Sequence, residues 1–254
     1  MDSTPVQPDV PVAVTPPERE AREPFWDYVD LLLVIGLGFG LLLLFCLPLL
    51  LVVNAENAIT KNIVLIAAVL QAALYASVYI ALKIDFSFRH EQKAVFRSLG
   101  WQRSSFPLGV AALVGVTLAF VVSAIAALLH TPQVTSPIEE FTKSTGALIF
   151  IAILAIAAAP FFEELFFRGF LQPLLSRTFG TALGILLTAI FFGVLHLSEY
   201  SMVWQYGVAI TLVGVALGYA RARSGSLVPS TLMHACFNAV SVVALLVSRY
   251  SKHT

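Results

Sequence analysis

The stretch "ALIFIAILAIAAAPFFEELFFRGF", residues 147–170, decides the fold class of this chain. It is long enough to cross a lipid bilayer, because a helix that rises about 1.5 Å per residue needs about 20 residues to span a hydrocarbon layer of about 30 Å. Three charged residues, Glu163, Glu164 and Arg168, nevertheless interrupt the apolar run. The stretch therefore predicts a membrane-spanning helix that carries polar chemistry.

The composition of the whole chain agrees with a membrane protein. Hydrophobic residues make up 58% of the 254 residues and charged residues 12%, and the mean hydropathy is +0.87. Soluble domains carry about 25% charged residues. We predict an all-α, polytopic helical membrane protein with about seven transmembrane helices, at residues 28–53, 63–82, 107–129, 146–176, 181–198, 203–221 and 227–248. Aromatic and basic residues mixed over 83–106 predict a short interfacial helix.

Composition also divides the chain into three regions. Residues 1–24 hold six of the 13 prolines and almost no large apolar residue, which predicts a disordered tail. Residues 25–139 carry the first three predicted transmembrane helices, and residues 140–254 carry the others. The net charge of zero gives no indication of a nucleic-acid partner, so the lipid bilayer is the partner that composition implies.

Basic residues predict the orientation of the helices. Ten Lys and Arg residues fall in the N-terminal tail and in the connections on its side of the membrane, and four fall on the other side. Because basic residues concentrate on the cytoplasmic side, this asymmetry predicts a multi-pass protein with a cytoplasmic N-terminus. In a bacterium its location would be the plasma (inner) membrane.

The charges in the opening stretch need partners. An ionised side chain at the centre of a bilayer costs about 2.5–3.5 kcal/mol. Glu164 and Arg168 are four residues apart, so they share a helix face and can form an ion pair. Glu163 has no such partner on its own helix. Alternatively, all three charges lie at the membrane edge and anchor the helix among lipid headgroups.

Polar residues on two further helices favour a buried site over an anchor. His196 lies near the end of the fifth predicted helix, and His234 and Asn238 are one turn apart on the seventh. Counted from the nearest predicted cytoplasmic helix ends, Glu163 lies about 20 Å deep, His196 about 22 Å, His234 about 12 Å and Asn238 about 18 Å. The four side chains can therefore meet inside the membrane.

Such a cluster has the parts for hydrolysis by water. Glu163 and His196 can polarise and deprotonate a water molecule. His234 and Asn238 can donate hydrogen bonds to the oxygen of the tetrahedral intermediate. The chain has no G-x-S-x-G nucleophile motif and no H-E-x-x-H zinc motif. We predict no metal or other cofactor, but carboxylates and two histidines on separate helices could also bind zinc, which leaves a metal-dependent hydrolase as an alternative.

Three motifs on these helices resemble those of a known family. "EELFFR" at residues 163–168 resembles an EExxxR motif, "FGVLH" at residues 192–196 an FxxxH motif, and "HACFN" at residues 234–238 an HxxxN motif. This set is similar to the CPBP family, which comprises type II CAAX prenyl endopeptidases and bacterial Abi-like intramembrane proteases. The resemblance covers roughly residues 140–248, so residues 140–254 would form its catalytic region.

The resemblance implies a role for each motif residue. Glu163 and His196 would activate water, His234 and Asn238 would form an oxyanion hole, and Glu164 and Arg168 would support them. It further implies a peptide or protein substrate, lipidated or membrane-bound, and cleavage near the cytoplasmic side. Other members of the family are linked to bacteriocin immunity, so a non-enzymatic immunity or interaction protein is the alternative function.

Overall fold

The computed structural model describes residues 24–53, 58–132, 134 and 145–251, so the predicted tail lies outside the described residues except for Pro24. The regular structure in these ranges is helical. Its helices are α1 (Tyr28–Val53), α2 (Ala58–Arg89), α3 (Val95–Ser98), α4 (Leu108–Leu128), α5 (Thr145–Phe179), α6 (Thr181–His196), α7 (Trp204–Ser224) and α8 (Leu227–Ser251). A 3-10 turn, Leu197–Tyr200, continues α6. The predicted all-α fold is confirmed.

Six of the described helices are long and apolar enough to cross a membrane, which makes the chain a multi-pass integral membrane protein. The sixth predicted span, 203–221, is helical as part of α7 but is not among these six candidate helices. Its polar ends, with Gln205 and Arg221, lower its hydropathy. α7 also packs against α4, α6 and α8, and a helix side that contacts protein needs less apolar surface than one that faces lipid.

The end of α2 differs from the prediction. The helix continues past the predicted boundary at residue 82 as far as Arg89, and the interfacial helix is reduced to the single turn of α3. The charged side chains near residue 85 indicated that the helix ends at the membrane surface. In the structure these side chains are paired. Arg89 Nε lies 2.5 Å from the Asp30 Oδ1 atom of α1 and 3.5 Å from Asp85 Oδ1. Pairing lowers the cost of keeping these residues on the helix.

The helix α5 is not a regular α-helix. Two stretches, Leu154–Ala158 and Leu165–Leu171, have π-helical geometry. Within the first, the π pattern directs the carbonyl of Ala155 to the nitrogen of Pro160, which carries no hydrogen. The side-chain amide of Asn238 on α8 donates to this carbonyl instead, at 2.7 Å. The break in α5 is therefore also a link between α5 and α8.

α5 lies between two groups of helices. α1 and α2 form a hairpin, and a second group of helices contains α4, α6, α7 and α8. A cluster of buried apolar side chains that includes Trp26, Phe86 and Phe170 joins the hairpin to α5, and Trp26 Nε1 donates to the Phe170 carbonyl at 3.0 Å. The Tyr28 hydroxyl donates to Thr178 Oγ1 at 2.7 Å, so α1 begins where α5 ends, on one side of the protein.

Candidate active site

The site is centred on Glu163, which lies on α5 between the two π-helical stretches. Its Oε2 atom is 3.8 Å from Nε2 of His196, the last residue of α6, and 3.9 Å from Nε2 of His234 on α8. The structure thus brings together three of the side chains that the sequence predicted to meet. Glu163 and His196 are 20% and 19% exposed and His234 is 5% exposed, so the first two line the accessible side of the cluster.

Hydrogen bonds fix the orientation of both imidazole rings. His196 Nδ1 lies 2.7 Å from the carbonyl oxygen of Phe192, and His234 Nδ1 lies 3.2 Å from Glu164 Oε1. A carbonyl or carboxylate oxygen only accepts, so both Nδ1 atoms carry a hydrogen and donate. Both rings therefore present Nε2 to Glu163.

Behind His234 lies the ion pair that the four-residue spacing predicted. Arg168 Nη1 is 2.9 Å from Glu164 Oε1, and both side chains are fully buried. Arg168 Nη2 also donates to the Gly214 carbonyl of α7 at 3.2 Å. A buried pair is stable only when its remaining polar atoms find partners, and the backbone of α7 and the ring of His234 provide two of them.

Gly214 is the residue that lets α7 approach this ion pair. A Cβ atom at this position would lie 2.9 Å from the Ala189 side chain of α6 and 3.3 Å from Arg168 Nη2. Real Cβ atoms are rarely so close to their neighbours, so α7 would have to move away from α6. The sequence places a glycine here but shows nothing of the guanidinium it accommodates.

Phe192 supports both histidines. Its buried ring lies 4.4 Å from the His196 ring and 5.8 Å from the His234 ring, measured between centroids, and Arg168 Cζ lies 4.4 Å from its centroid. A guanidinium at this distance interacts favourably with an aromatic face. The phenylalanine of the FxxxH motif therefore contributes its carbonyl to one histidine and its ring to both.

Asn238 occupies a different position from the one expected of an oxyanion donor. One hydrogen of its amide is committed to the Ala155 carbonyl, so only the second is left for another acceptor. Its predicted contribution to an oxyanion hole stays a prediction. What the structure adds is its hydrogen bond to α5. The clue in the sequence is Pro160, since a proline within a helix leaves a carbonyl without its usual donor.

Tyr75 of α2 also reaches the site, and sequence reasoning missed it. Its buried ring stacks on Phe162, the residue before Glu163, with centroids 4.5 Å apart and planes 11° from parallel. No motif marks this tyrosine, because its approach depends on how the α1–α2 hairpin packs against α5.

The side chains of the cluster have the ligand types of a zinc site but not its ligand-to-ligand distances. One carboxylate oxygen and two imidazole nitrogens are ligands that zinc accepts. Two ligand atoms about 2.1 Å from a tetrahedral zinc ion lie about 3.4 Å apart. The distances from Glu163 Oε2 to the two Nε2 atoms are 3.8 and 3.9 Å, so the side chains would have to close around an ion.

The fold and the site together define the class: a polytopic helical membrane protein whose interior holds a carboxylate facing two imidazoles. Residues 144–240 match the family described as type II CAAX prenyl endopeptidase Rce1-like. All six predicted site residues lie within this range.

One curated relative is an uncharacterized protein of Mycoplasma capricolum subsp. capricolum. It is 28% identical over 117 residues, which are 45% of this chain and 33% of that protein. The match therefore covers about a third of the relative's length. No solved structure matches the chain.

Proposed function

We propose that this protein is an intramembrane endopeptidase that hydrolyses peptide bonds with a water molecule activated by Glu163 and His196. The observation that carries the proposal is the convergence of Glu163 Oε2 and the two imidazole Nε2 atoms, at 3.8 and 3.9 Å, in the region that matches this endopeptidase family. These gaps are too long for direct hydrogen bonds. A water oxygen about 2.8 Å from each partner fits between them.

Counting hydrogens assigns a role to each of the three groups. A water molecule has two hydrogens, which Glu163 and His196 Nε2 can accept. His234 then contributes only if its Nε2 also carries a hydrogen, which makes the ring a cation because its Nδ1 already donates to Glu164. The carboxylate of Glu164 offsets that charge, as the acidic partner of a catalytic histidine does in other hydrolases. His234 is thus the proposed donor to the oxyanion.

The reaction follows from these roles. The water oxygen bonds to the carbonyl carbon of the substrate while Glu163 takes its proton, and the carbonyl oxygen becomes an oxyanion that accepts from His234 Nε2. The tetrahedral intermediate then loses its C–N bond as Glu163 passes the proton to the leaving nitrogen. The products are a carboxylic acid that keeps the water oxygen and a free amine.

We infer a lipid-anchored or membrane-bound peptide as the substrate. Glu163 lies within a helix that is apolar enough to cross the bilayer, so a soluble peptide would have to leave water to reach it. An acyl or prenyl chain places a peptide at the membrane at a gain of about 0.8 kcal/mol per buried CH₂ group. Cleavage near the cytoplasmic side stays a prediction, since a depth of about 20 Å from the predicted cytoplasmic helix end places Glu163 towards the middle of the membrane.

The decisive experiment compares cells that express the protein with cells that express Glu163→Gln at the same level. New peptide C-termini in membrane-anchored proteins are expected only with the unchanged protein. A purified assay with one peptide sequence, with and without a covalent farnesyl chain, then tests the substrate class. Identical peptide termini in both cell lines would reject proteolysis and favour a non-enzymatic interaction protein.

A further inference from the structure

A second polar cluster, separate from the candidate active site, joins α1 to α2. Asp30 near the start of α1 faces Asp85, Arg89 and His90 at the end of α2. Asp30 Oδ1 lies 2.5 Å from Arg89 Nε and 3.1 Å from His90 Nε2. Asp85 Oδ2 lies 3.9 Å from His90 Nε2. One ligand atom from each of Asp30, Asp85 and His90 lies within 4.8 Å of the other two.

Asp85 is the unusual member of this cluster. Its side chain is 2% exposed, and neither carboxylate oxygen has a hydrogen-bond partner among the described residues. The carboxyl group of Asp30 on α1 is its neighbour, close enough for the two to share a hydrogen bond when one of them is protonated. Buried carboxylates are normally hydrogen-bonded, paired or bound to a cation. The Arg89 guanidinium lies 3.5 Å from Asp85 Oδ1, but one guanidinium faces two carboxylates here.

We propose that Asp30, Asp85 and His90 form a binding site for a divalent transition-metal cation such as zinc. Two carboxylates and one imidazole are a donor set that zinc and manganese accept, with water completing the coordination. The two negative charges match the charge of the ion. Asp30 Oδ2 accepts the backbone N–H of Asp27 at 2.6 Å, which orients the first ligand. The ion would hold the ends of α1 and α2 together.

Arg89 and the metal would be alternative partners of the same carboxylates. The Arg89 side chain is 39% exposed, so the guanidinium can turn outward when an ion binds. A cavity of about 520 Å³ reaches the cluster, and its lining includes Leu33, Leu37, Asp85 and Arg89. If the cluster were only an ion-pair network, removing the Arg89 guanidinium would not improve metal binding, because the network itself needs that guanidinium.

The test uses the full-length protein in detergent, purified without a histidine tag and titrated with Co²⁺ as a spectroscopic substitute for zinc. We expect one bound equivalent that zinc displaces. Asp85→Asn and His90→Ala should each abolish it, and His196→Ala should retain it. Arg89→Ala should bind the ion about tenfold more tightly because a competing cation is gone. Arg97→Ala removes an exposed arginine of α3 and is the matched control, expected to bind as the unchanged protein does.

The melting temperature provides a second measurement. Arg89→Ala should melt at a lower temperature than the unchanged protein without metal and recover with zinc, whereas Asp85→Asn should not respond to zinc. Absence of Co²⁺ binding in both the unchanged protein and Arg89→Ala would overturn the proposal. So would binding that survives in Asp85→Asn and His90→Ala but is lost in His196→Ala, which would place the ion in the candidate active site. These measurements do not involve peptide cleavage, so they stand apart from the proposed function.

Discussion

Glu164 and His234 are joined across α5 and α8 by a contact of 3.2 Å between Oε1 and Nδ1. The same oxygen lies 2.9 Å from Arg168 Nη1. One buried carboxylate therefore fixes the ring of the proposed oxyanion donor and forms the ion pair that stabilises the helix bundle. The buried ion pair and the proposed chemistry therefore share a single side chain.

Arg168→Ala should destabilise the protein by about 3–5 kcal/mol, because the carboxylate of Glu164 is left buried without its cation. The measurement is the melting temperature in detergent together with the yield of inserted protein. The double variant Arg168→Met/Glu164→Gln removes both charges at similar volume and should recover most of that stability. Its activity should stay low, since a neutral amide does not offset a charge on His234. A single Arg168→Ala variant that melts with the unchanged protein would contradict the ion pair.

Glu163→Gln should reduce cleavage by about 10²–10⁴ while leaving the melting temperature unchanged. Glu163 makes only long contacts and is partly exposed, so its charge matters to the reaction more than to folding. The measurement is the initial rate on a membrane-bound peptide. Glu91→Gln makes the same change at an exposed position outside the site and serves as the control. Full activity in Glu163→Gln would eliminate it as the base.

Asn238→Ala should cost about 1–3 kcal/mol, because the Ala155 carbonyl loses its donor inside the protein. Pro160→Ala restores a backbone N–H opposite that carbonyl, so the double variant Pro160→Ala/Asn238→Ala should recover stability. The two changes are therefore expected to be non-additive in melting experiments. If the double variant regains stability but not activity, Asn238 also acts on the reaction. Simple addition of the two losses would argue against the link between α5 and α8.

Phe192→Leu should lower the turnover number more than it lowers stability. The backbone carbonyl that holds His196 stays, but the ring that supports both imidazoles and the Arg168 guanidinium is lost. The measurement is kcat and the melting temperature on the same preparation. Phe120→Leu changes an exposed phenylalanine of α4 and controls for the general effect of the substitution. Equal activity of the two variants would show that the Phe192 ring is dispensable.

Chelation of metals should leave peptide cleavage unchanged in the Asp85→Asn variant. This variant lacks the proposed metal site between α1 and α2, so any remaining effect of a chelator would arise at Glu163, His196 and His234. Cleavage that disappears with the chelator and returns with zinc would favour the metal-dependent alternative. The measurement is the rate before chelation, after it, and after zinc is added back.

The sequence predicted most of the helices and the meeting of Glu163, His196 and His234 between them. Long apolar runs define membrane-crossing helices because lipid offers no hydrogen bonds to an unpaired backbone. The four-residue spacing of Glu164 and Arg168 placed both on one face, and counting residues from helix ends put Glu163 and His196 at one depth. Such regularities depend only on local geometry.

Other features depend on contacts between residues far apart in the chain. The extension of α2 to Arg89 rests on Asp30 of α1, and the stacking of Tyr75 on Phe162 rests on the packing of the hairpin. The hydrogen bond from Asn238 depends on the π geometry next to Pro160, which the sequence does not show. One of the seven predicted membrane crossings, residues 203–221, is not among the six candidate spans, because the polar ends of α7 lower its hydropathy.

The number of residues in the π-helical stretches determines the direction in which the Glu163 side chain points. Each successive residue of an α-helix turns the chain by about 100°, and a π stretch accommodates one residue more between hydrogen-bonded groups. Deleting Ala157 would allow the first stretch to become an ordinary helix. Every side chain before the deletion would then turn by about a third of a revolution relative to those after it. The acid and the histidines would stay in the protein, at nearly the same depth, yet face different directions.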